Sequence, residues 1–460
     1  MSIPNNSRVA VHSKLTVVSS TPTEPGQAFP LSALDHAMGR HTLHIIFYYR
    51  SEQAGRIQFE PIRRSLSELL SLYPTVTGRL GRDGEGNWEV KCTDAGVRVL
   101  RAKVATTFDE WLRSADGEEE KDLAVWEDMP DDPCIWSPFR IQMNEFEGGG
   151  VAIALSCAHM LADPTFATLL IKSWTDAQRG EPIGHPPFIY PPALRSRPTS
   201  NATTKATAYY ASKAKLEEPP PLNMATTTFN FSSSAIKREL SKIHAHCPEA
   251  SPFDLLTALF WSRIHQTMAP KNDPKRSLSI CTDFRKRLHA PLPYGYFGNT
   301  MLFSRLTLGA EELDGGDLGL VVRSVHSHTA GLEEEEFWST INWFHSIKDE
   351  KGKFAPPFAM YGPELTCVDM EHLIAPSGPS GGAVEPLMYM AMFEKDVKPE
   401  HVSYLVGNVG GEGLILVMPS PEGGLARRVA VTLPEEQMVK LRENRAILSL
   451  EPTLILSRGR

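Results

Sequence analysis

A mixed α/β fold is predicted for this 460-residue chain by three features of its sequence. Strand-like and helix-like stretches alternate irregularly along the chain, which is typical of mixed α/β architecture. Hydrophobic residues make up 41% of the chain and charged residues 22%, as in a globular protein with a sizeable core. We find no internal repeat, so a solenoid or another repeat fold is not indicated.

The first half of the chain begins with a strand and an amphipathic helix. The stretch 41–50, HTLHIIFYYR, is rich in branched and aromatic side chains and predicts a buried strand. In 61–73, apolar residues recur at helical spacing after a proline, which predicts a helix. The glycines of 77–92, TGRLGRDGEGNWEVKC, indicate a β-hairpin, and 151–158, VAIALSCA, predicts a further apolar strand.

The composition changes between residues 180 and 225, where Pro, Ser, Thr, Asn and Ala dominate. Such a stretch usually forms no core element, so we expect a first domain at 1–180, a crossover linker at 181–225 and a second domain at 226–460. In the second domain, Ser251 and Pro252 mark the start of a helix. Near its end, the strand-like runs MYMAMFEKDV, HVSYLVGNV and GLILVMPS precede the helical stretch EEQMVKLREN.

Charge and cysteine content exclude several classes of function. The formal charge of -8, from 47 Lys+Arg and 55 Asp+Glu, provides no large basic surface for nucleic acid. The six cysteines lack metal-ligand spacing, so we expect neither a zinc site nor disulfides, and a reducing compartment. There is no secretion signal at the start and no long apolar run, so we expect a cytoplasmic monomer without a membrane span or a bound metal.

The pair His159 and Asp163 lies in LSCAHMLADPTF, where a strand pattern gives way to a helix pattern. With 15 histidines, about one chance H-x-x-x-D match is expected, and His345 with Asp349 supplies a second copy that we interpret as a solvated helix face. A histidine between a strand end and a helix start is well placed to open on a cleft. Asp163 before Pro164 is typical of a helix N-cap, so a structural, half-buried His159 stays an alternative at this point.

Further polar residues follow in SICTDFRKRLHAPLPYGYFGNTM, at 279–301: Asp283, Arg285 and the segment YFGN. Together with H-x-x-x-D, SLSELLSLYPTVTGRL and GEGLILVMPSPEGG, this order of motifs resembles the BAHD acyltransferases of plants over nearly the whole chain. The resemblance implies two chloramphenicol acetyltransferase-like domains with mixed sheets and a solvent channel between them. It also implies that the protein is an acyltransferase that transfers groups other than aminoacyl groups. Acyl-CoA would be the co-substrate and a small molecule the acceptor.

The resemblance assigns roles to four residues. His159 would be the general base that takes the proton of a hydroxyl or amine acceptor. The acyl group would then pass directly, through a tetrahedral intermediate and without an acyl-enzyme. Asp163 would point away from the acceptor and pair with Arg285, and Asp283 would support this pair. The residues that bind the CoA phosphates are not identified by the sequence.

One family motif is missing from the chain. BAHD proteins usually carry D-F-G-W-G, and the corresponding stretch here, 392–408, retains only Phe393 or Asp396 with Lys398 and Pro399. This loss, together with PLSALDHAMGRHTLHIIFYYR near the start, resembles the Eceriferum/Glossy wax group within the family. Members of that group assist fatty acid elongation, and their H-x-x-x-D motif is dispensable.

The subgroup resemblance implies an alternative function. The chain would be a non-catalytic partner of the fatty acid elongase condensing enzyme, in very-long-chain fatty acid and cuticular wax biosynthesis. Such a partner would hold it at the endoplasmic reticulum surface. A plain binding module with a vestigial cleft is a third interpretation, and it does not explain why both paired motifs are retained.

Overall fold

Two large mixed β-sheets and one small sheet form the framework of this computed structural model, which describes residues 7–50, 57–189, 194–198, 204–216, 222–245, 247–268, 273–315, 317–374 and 385–457. The strands of the first half are β1 Val9–Val17, β2 Ala28–Pro30, β3 Thr42–Tyr49, β4 Arg79–Arg82, β5 Trp88–Lys91, β6 Val97–Thr107, β7 Phe139–Glu147 and β8 Val151–Ala158. Those of the second half are β9 Met224–Phe231, β10 Lys275–Asp283, β11 Met301–Gly309, β12 Leu365–Asp369, β13 His401–Val406, β14 Leu414–Pro419, β15 Arg427–Pro434 and β16 Thr453–Ile455.

Helices cover the sheets. Those of the first half, with the helix between the halves, are Ala33–Ala37, Phe59–Leu70, Pro74–Thr77, Phe108–Ser114, Gly117–Glu120, Pro164–Gln178 and Lys205–Lys213. Those of the second half are Ser233–Ile243, Pro252–Thr267, Ala310–Asp314, Leu318–Ala330, Glu334–Ser346, Glu435–Arg442 and Arg445–Leu448. Short 3₁₀ turns occur at Lys121–Ala124, Pro133–Ile135, Glu371–Leu373 and Leu387–Met390. Among the described residues, none of these helices combines the length and the apolar character that crossing a bilayer requires.

Strand order shows why both sheets are mixed. In the described residues the first sheet runs β1-β6-β7-β8-β3-β13 and the second β11-β10-β12-β14-β15-β9-β16, while β2-β5-β4 form the small sheet. The pairs β6–β7, β10–β12 and β12–β14 are parallel, and the other pairs are antiparallel. Every residue of β8 is buried, because the strand is central and covered on both faces, and this explains its unbroken apolar run.

A strand from the second half completes the first sheet. β13 pairs antiparallel with β3, with His401 opposite Tyr48 and Val406 opposite Leu43. The first sheet therefore takes β13 from beyond the predicted 181–225 linker, and the two halves are joined through this sheet as well as along the chain.

Part of the predicted linker is a core element, contrary to expectation. Thr204 caps the helix Lys205–Lys213 through a capping box with Thr207, and the aromatic rings of Tyr209 and Tyr210 are buried. The expectation that this stretch forms no core element was wrong for the helix, because its nine residues contain no proline and bring two large aromatic side chains into the core. Linker residues 190–193, 199–203 and 217–221 lie outside the described part.

Several predicted elements are confirmed at nearly the expected bounds. The run 41–50 forms β3, 61–73 lies mostly in the helix Phe59–Leu70, and the hairpin is β4 with β5. Ser251 caps the helix that begins at Pro252.

The run 388–397 was expected to be a strand, and this prediction was wrong. Its start lies in the 3₁₀ turn Leu387–Met390, and Asp396 has a φ of 65°, in the left-handed region. The consecutive residues Leu387, Met388 and Tyr389 are all buried, which a turn packed on the core permits, whereas a strand at a sheet surface would alternate.

Candidate active site

His159 follows the last residue of β8 and is held by its own backbone. Its N–H donates to the carbonyl of His41 at 2.9 Å, and its carbonyl accepts from Nδ2 of Asn299 at 2.9 Å. Its side chain is completely buried. Two backbone contacts from distant parts of the chain thus fix where the imidazole lies.

Asp163 ends the turn that begins at His159 and caps the helix Pro164–Gln178. Its Oδ1 accepts the backbone N–H of Phe166 at 2.9 Å, which satisfies one of the free donors of the first helical turn. The helix accommodates Pro164 at its first position, because that residue needs no N–H donor there.

Arg285 joins this turn to the second half. Its guanidinium donates to both carboxylate oxygens of Asp163, at 2.7 and 2.9 Å, and also to Asp283. Burial opposes ionisation of Asp283, but the charge of Arg285 still holds the pKa of that carboxyl below its ordinary value. Burial also disfavours the charged guanidinium, yet the two carboxylates raise the pKa of Arg285, so the group stays charged. The three residues therefore form a buried ionic network with one cation and two anions.

Asp35 was not predicted, and it supports His159 from behind. It accepts hydrogen bonds from the backbone N–H of Asn299 at 2.7 Å and from its Nδ2 at 2.9 Å, and that same Nδ2 donates to the carbonyl of His159. Burial raises the pKa of Asp35 to about 6, while hydrogen bonds from Ser32 and Asn299 act in the opposite direction. The sequence signal was the capping pattern Ser32-x-x-Asp35, which by itself indicates only a helix start.

Steric constraints explain why the third residue of YFGN is a glycine. Gly298 has a φ of 107°, and a Cβ added there would lie 2.9 Å from the carboxylate of Asp35. Only a residue without a side chain lets the loop come this close to Asp35 in this conformation.

The ring of His159 is set up as a neutral base. Its Nε2 lies 3.0 Å from the hydroxyl of Tyr361, and Nδ1 has no hydrogen-bond partner of acceptable geometry among the described residues. Burial lowers the pKa of His159 below its ordinary 6.5, although the ring's own backbone carbonyl and the Asp163 carboxylate oppose this shift. The imidazole is therefore neutral near pH 7, as a general base must be.

A cavity of about 990 Å³ lies between the two halves. One side is lined by Arg40, 116–119 and Lys121, and the other by 222–226, 405–410 and parts of the helix Glu435–Arg442. Its charged lining residues include both cations and carboxylates.

His159 does not line this cavity, whereas Tyr361 does. The expectation that His159 opens directly on a cleft is corrected. The ring of Tyr361 packs against His41 and Phe303, fills the space beside the imidazole and connects it to the cavity.

The second H-x-x-x-D copy forms no comparable site. His345 is half-buried near the end of the helix Glu334–Ser346, with its ring 5.2 Å from that of Phe354. Asp349 is exposed in the turn that follows and accepts the backbone N–H groups of Lys351 and Lys353. The prediction that His345 and Asp349 lie on a solvated helix face was wrong for Asp349, because the helix ends at Ser346.

The stretch 392–408, which replaces D-F-G-W-G, contributes to the core. Phe393 is buried against the rings of Trp174 and Tyr49, at 4.8 and 5.7 Å between centroids. Lys398 is exposed and pairs with Glu385 at 2.8 Å. Phe393 thus packs on the helix that Asp163 caps. In the described residues, no group of three or more His, Cys, Asp or Glu could hold a metal ion.

Comparison with known proteins identifies the family. The model of the Transferase family matches residues 7–448. The chain is 26% identical over 443 residues to a hydroxycinnamoyltransferase of Narcissus pseudonarcissus, covering 93% of this chain and 97% of that one. It is 25% identical over 431 residues to Protein ECERIFERUM 2 of Arabidopsis thaliana, covering 90% and 92%.

Solved structures show the same fold. The crystal structure of vinorine synthase is similar with a TM-score of 0.71 at 18% identity, over 96% of this chain and 98% of that chain. That of F. graminearum TRI101 complexed with coenzyme A and deoxynivalenol is similar with a TM-score of 0.69 at 15% identity, over 93% and 100%. The two mixed-sheet bodies are thus the chloramphenicol acetyltransferase-like fold expected from the sequence, and the chain belongs to the Transferase family, the BAHD acyltransferases.

Proposed function

We propose that this protein transfers an acyl group from acyl-CoA to a hydroxyl or amine acceptor, with His159 as the general base. The observation that carries the proposal is the geometry around His159. A neutral, buried imidazole is fixed by its backbone, the turn that carries it is held by the Asp163–Arg285 ion pair, and its Nε2 contacts the hydroxyl of Tyr361, a residue that lines the cavity between the halves.

The proposed reaction needs no covalent enzyme intermediate. The acceptor oxygen or nitrogen attacks the thioester carbon, His159 becomes protonated as the acceptor loses its proton, and the carbonyl oxygen becomes an oxyanion. The intermediate then collapses, the C–S bond breaks, and the thiolate of CoA takes the proton from the imidazolium. A fixed, desolvated imidazole can serve in both steps, because it accepts a proton in the first and returns it in the second.

Buried cysteines offer no competing nucleophile in this account. Cys157 and Cys281 are near the site in sequence, but burial raises their thiol pKa far above neutrality, so neither forms a thiolate. This supports direct transfer.

The names of the relatives suggest the first donors to test. Several relatives are hydroxycinnamoyltransferases, and one is named shikimate O-hydroxycinnamoyltransferase. We therefore infer that aromatic acyl-CoA thioesters belong in the donor panel beside acetyl-CoA and long-chain acyl-CoA.

A second function is favoured by a specific observation. His159 is fully enclosed and its Nε2 is already occupied by a protein hydroxyl, while 392–408 lacks the family's D-F-G-W-G. Both features fit a protein that uses the fold without the chemistry, as a partner of a fatty acid elongase condensing enzyme at the endoplasmic reticulum surface. The similarity to ECERIFERUM 2 and ECERIFERUM 26-like proteins supports including this candidate.

The deciding experiment crosses a panel of acyl-CoA donors with alcohol and amine acceptors, using purified protein, and measures release of CoA thiol together with the acylated product. The enzyme proposal expects transfer with at least one pair and its loss in His159→Ala. If no pair reacts, the proposal is wrong. Co-expression with an elongase condensing enzyme then tests the partner role, which expects longer fatty acids with wild type and with His159→Ala alike.

A further inference from the structure

Tyr361 contacts both the proposed base and the cavity. Its hydroxyl lies 3.0 Å from Nε2 of His159, and Tyr361 is one of the residues that line the cavity between the halves, although only 1% of it is exposed. No sequence motif marked this residue. His159 itself does not line the cavity, so Tyr361 is the residue that contacts both the cavity and the imidazole.

The backbone around Tyr361 is fixed on both sides. Its carbonyl accepts the N–H of Gly410 at 3.1 Å, and the N–H of the preceding Met360 donates to Nε2 of His41 at 3.0 Å. His41 is itself held, because its Nδ1 lies 3.1 Å from the carbonyl of Gly407. Since Nε2 accepts, Nδ1 carries the proton and donates to this carbonyl.

The ring of Tyr361 has little room to move. It meets the rings of His41 and Phe303 edge-on, with centroids 4.9 and 5.4 Å apart. If the Tyr361 side chain rotated away from His159, it would lose these two ring contacts and the hydrogen bond to His159. The structure therefore favours a Tyr361 hydroxyl that stays in place.

The protonation states of Tyr361 and His159 allow the phenol to donate a hydrogen bond to the imidazole. Burial raises the pKa of Tyr361 well above its ordinary value, so the phenol keeps its proton, and burial lowers the pKa of His159, so the imidazole is neutral. The relay requires the His159 tautomer that carries its proton on Nδ1, in which the Tyr361 O–H donates to Nε2. The phenol oxygen of this donor still has lone pairs that can accept a hydrogen bond from the acceptor.

We propose that Tyr361 is a catalytic residue that relays the acceptor's proton to His159. This inference rests on the proposed acyl transfer. As the acceptor oxygen or nitrogen forms its bond to the thioester carbon, its proton passes to the oxygen of Tyr361, and the phenol proton passes to Nε2 of His159. When the C–S bond breaks, a proton returns from the imidazolium through the same phenol to the CoA thiolate. Tyr361 ends each turnover as a neutral phenol.

The test compares wild type, Tyr361→Phe and a matched control, Tyr49→Phe, with a reactive donor–acceptor pair. Tyr49 is also fully buried and its hydroxyl donates to the carbonyl of Ala391 at 2.8 Å, so its variant loses a buried hydroxyl elsewhere in the core. The relay expects kcat to fall on the order of 10²-fold in Tyr361→Phe, as when a positioned acid–base group is removed, with little change in Tyr49→Phe.

A second readout separates a relay from mere packing. Rates are measured in mixtures of H₂O and D₂O under conditions where chemistry limits turnover. Two protons in motion give wild type a curved dependence on deuterium fraction, and Tyr361→Phe should show a straight line at its lower rate. A rate in Tyr361→Phe equal to or above wild type, or a straight line for wild type, would overturn the relay.

His159→Ala distinguishes this failure from failure of the proposed function. If His159→Ala is inactive while Tyr361→Phe is fully active, His159 is the base and the relay is wrong. If wild type and His159→Ala behave alike on every donor–acceptor pair, both the proposed function and the relay are overturned.

Discussion

Arg285 donates two hydrogen bonds to the carboxylate of Asp163, at 2.7 and 2.9 Å, with side-chain exposures of 0% and 1%. Asp163 caps the helix Pro164–Gln178 in the first half, and Arg285 lies just beyond β10 in the second half. The pair therefore joins the turn that carries His159 to the opposite half of the molecule.

Breaking this pair should cost stability as well as activity. Either Asp163→Ala or Arg285→Ala removes one partner and leaves buried charge without full compensation, which costs ~3–5 kcal/mol. Urea denaturation measures the free energy of unfolding. As a control, Lys398→Ala breaks an exposed pair with Glu385, half-open to solvent, and should change the free energy of unfolding by at most ~1 kcal/mol. An equal change in the free energy of unfolding for the buried-pair variants and for Lys398→Ala would contradict a stabilising role of the Asp163–Arg285 pair.

We expect transfer activity to fall only at acidic pH, where His159 becomes protonated and can no longer act as a base. Burial lowers the pKa of His159 below 6.5, so the free enzyme keeps a neutral imidazole down to a lower pH than an exposed histidine would. We expect the acidic limb of log kcat/KM to have its midpoint below pH 6.5 and to be missing from any residual activity of His159→Ala. A midpoint above that value would be inconsistent with a desolvated base.

The same pKa shift affects folding. The unfolded chain binds a proton at His159 near pH 6.5, whereas the folded protein resists it. The contribution of neutral His159 to the free energy of unfolding is therefore fully present above pH 6.5, its pKa in the unfolded chain. This contribution is lost as the pH falls from there towards the lower pKa of His159 in the folded protein.

Asn299 should matter for the placement of His159. In Asn299→Ala, the carbonyl of His159 and the carboxylate of Asp35 each lose a buried donor, which costs ~1–3 kcal/mol for each unsatisfied group. We expect kcat to fall while KM for acyl-CoA changes little, because the substitution shifts the base without altering the cavity wall. Steady-state kinetics on folded protein, verified by circular dichroism, measures this. An unchanged kcat would show that His159 is held without Asn299.

Local features of the fold were accessible from sequence. β3, β8 and the helix from Pro252 follow from short-range patterns, apolar runs and capping residues, and each lies where it was predicted. The N-cap at Asp163 is of the same kind. The Asp163–Arg285 ion pair joins positions 122 residues apart, and it was expected only through the family resemblance.

Other parts of the site depend on contacts that no local pattern encodes. Tyr361 meets His159 across 202 residues and Asp35 meets Asn299 across 264. Tyr361 lies in an irregular, proline-containing stretch without periodicity, so neither its burial nor its direction could be predicted. The pairing of β13 with β3 is equally long-range.

The measurement that tests the central claim most directly is acyl transfer by wild type and His159→Ala, assayed with the same donor–acceptor pair. His345→Ala serves as the control, since it removes the second H-x-x-x-D histidine, which is half-buried against Phe354. We predict that His159→Ala loses at least ~10²-fold in kcat/KM while folding normally, and that His345→Ala transfers as wild type does. Equal transfer by wild type and His159→Ala would contradict the assignment of His159 as the base.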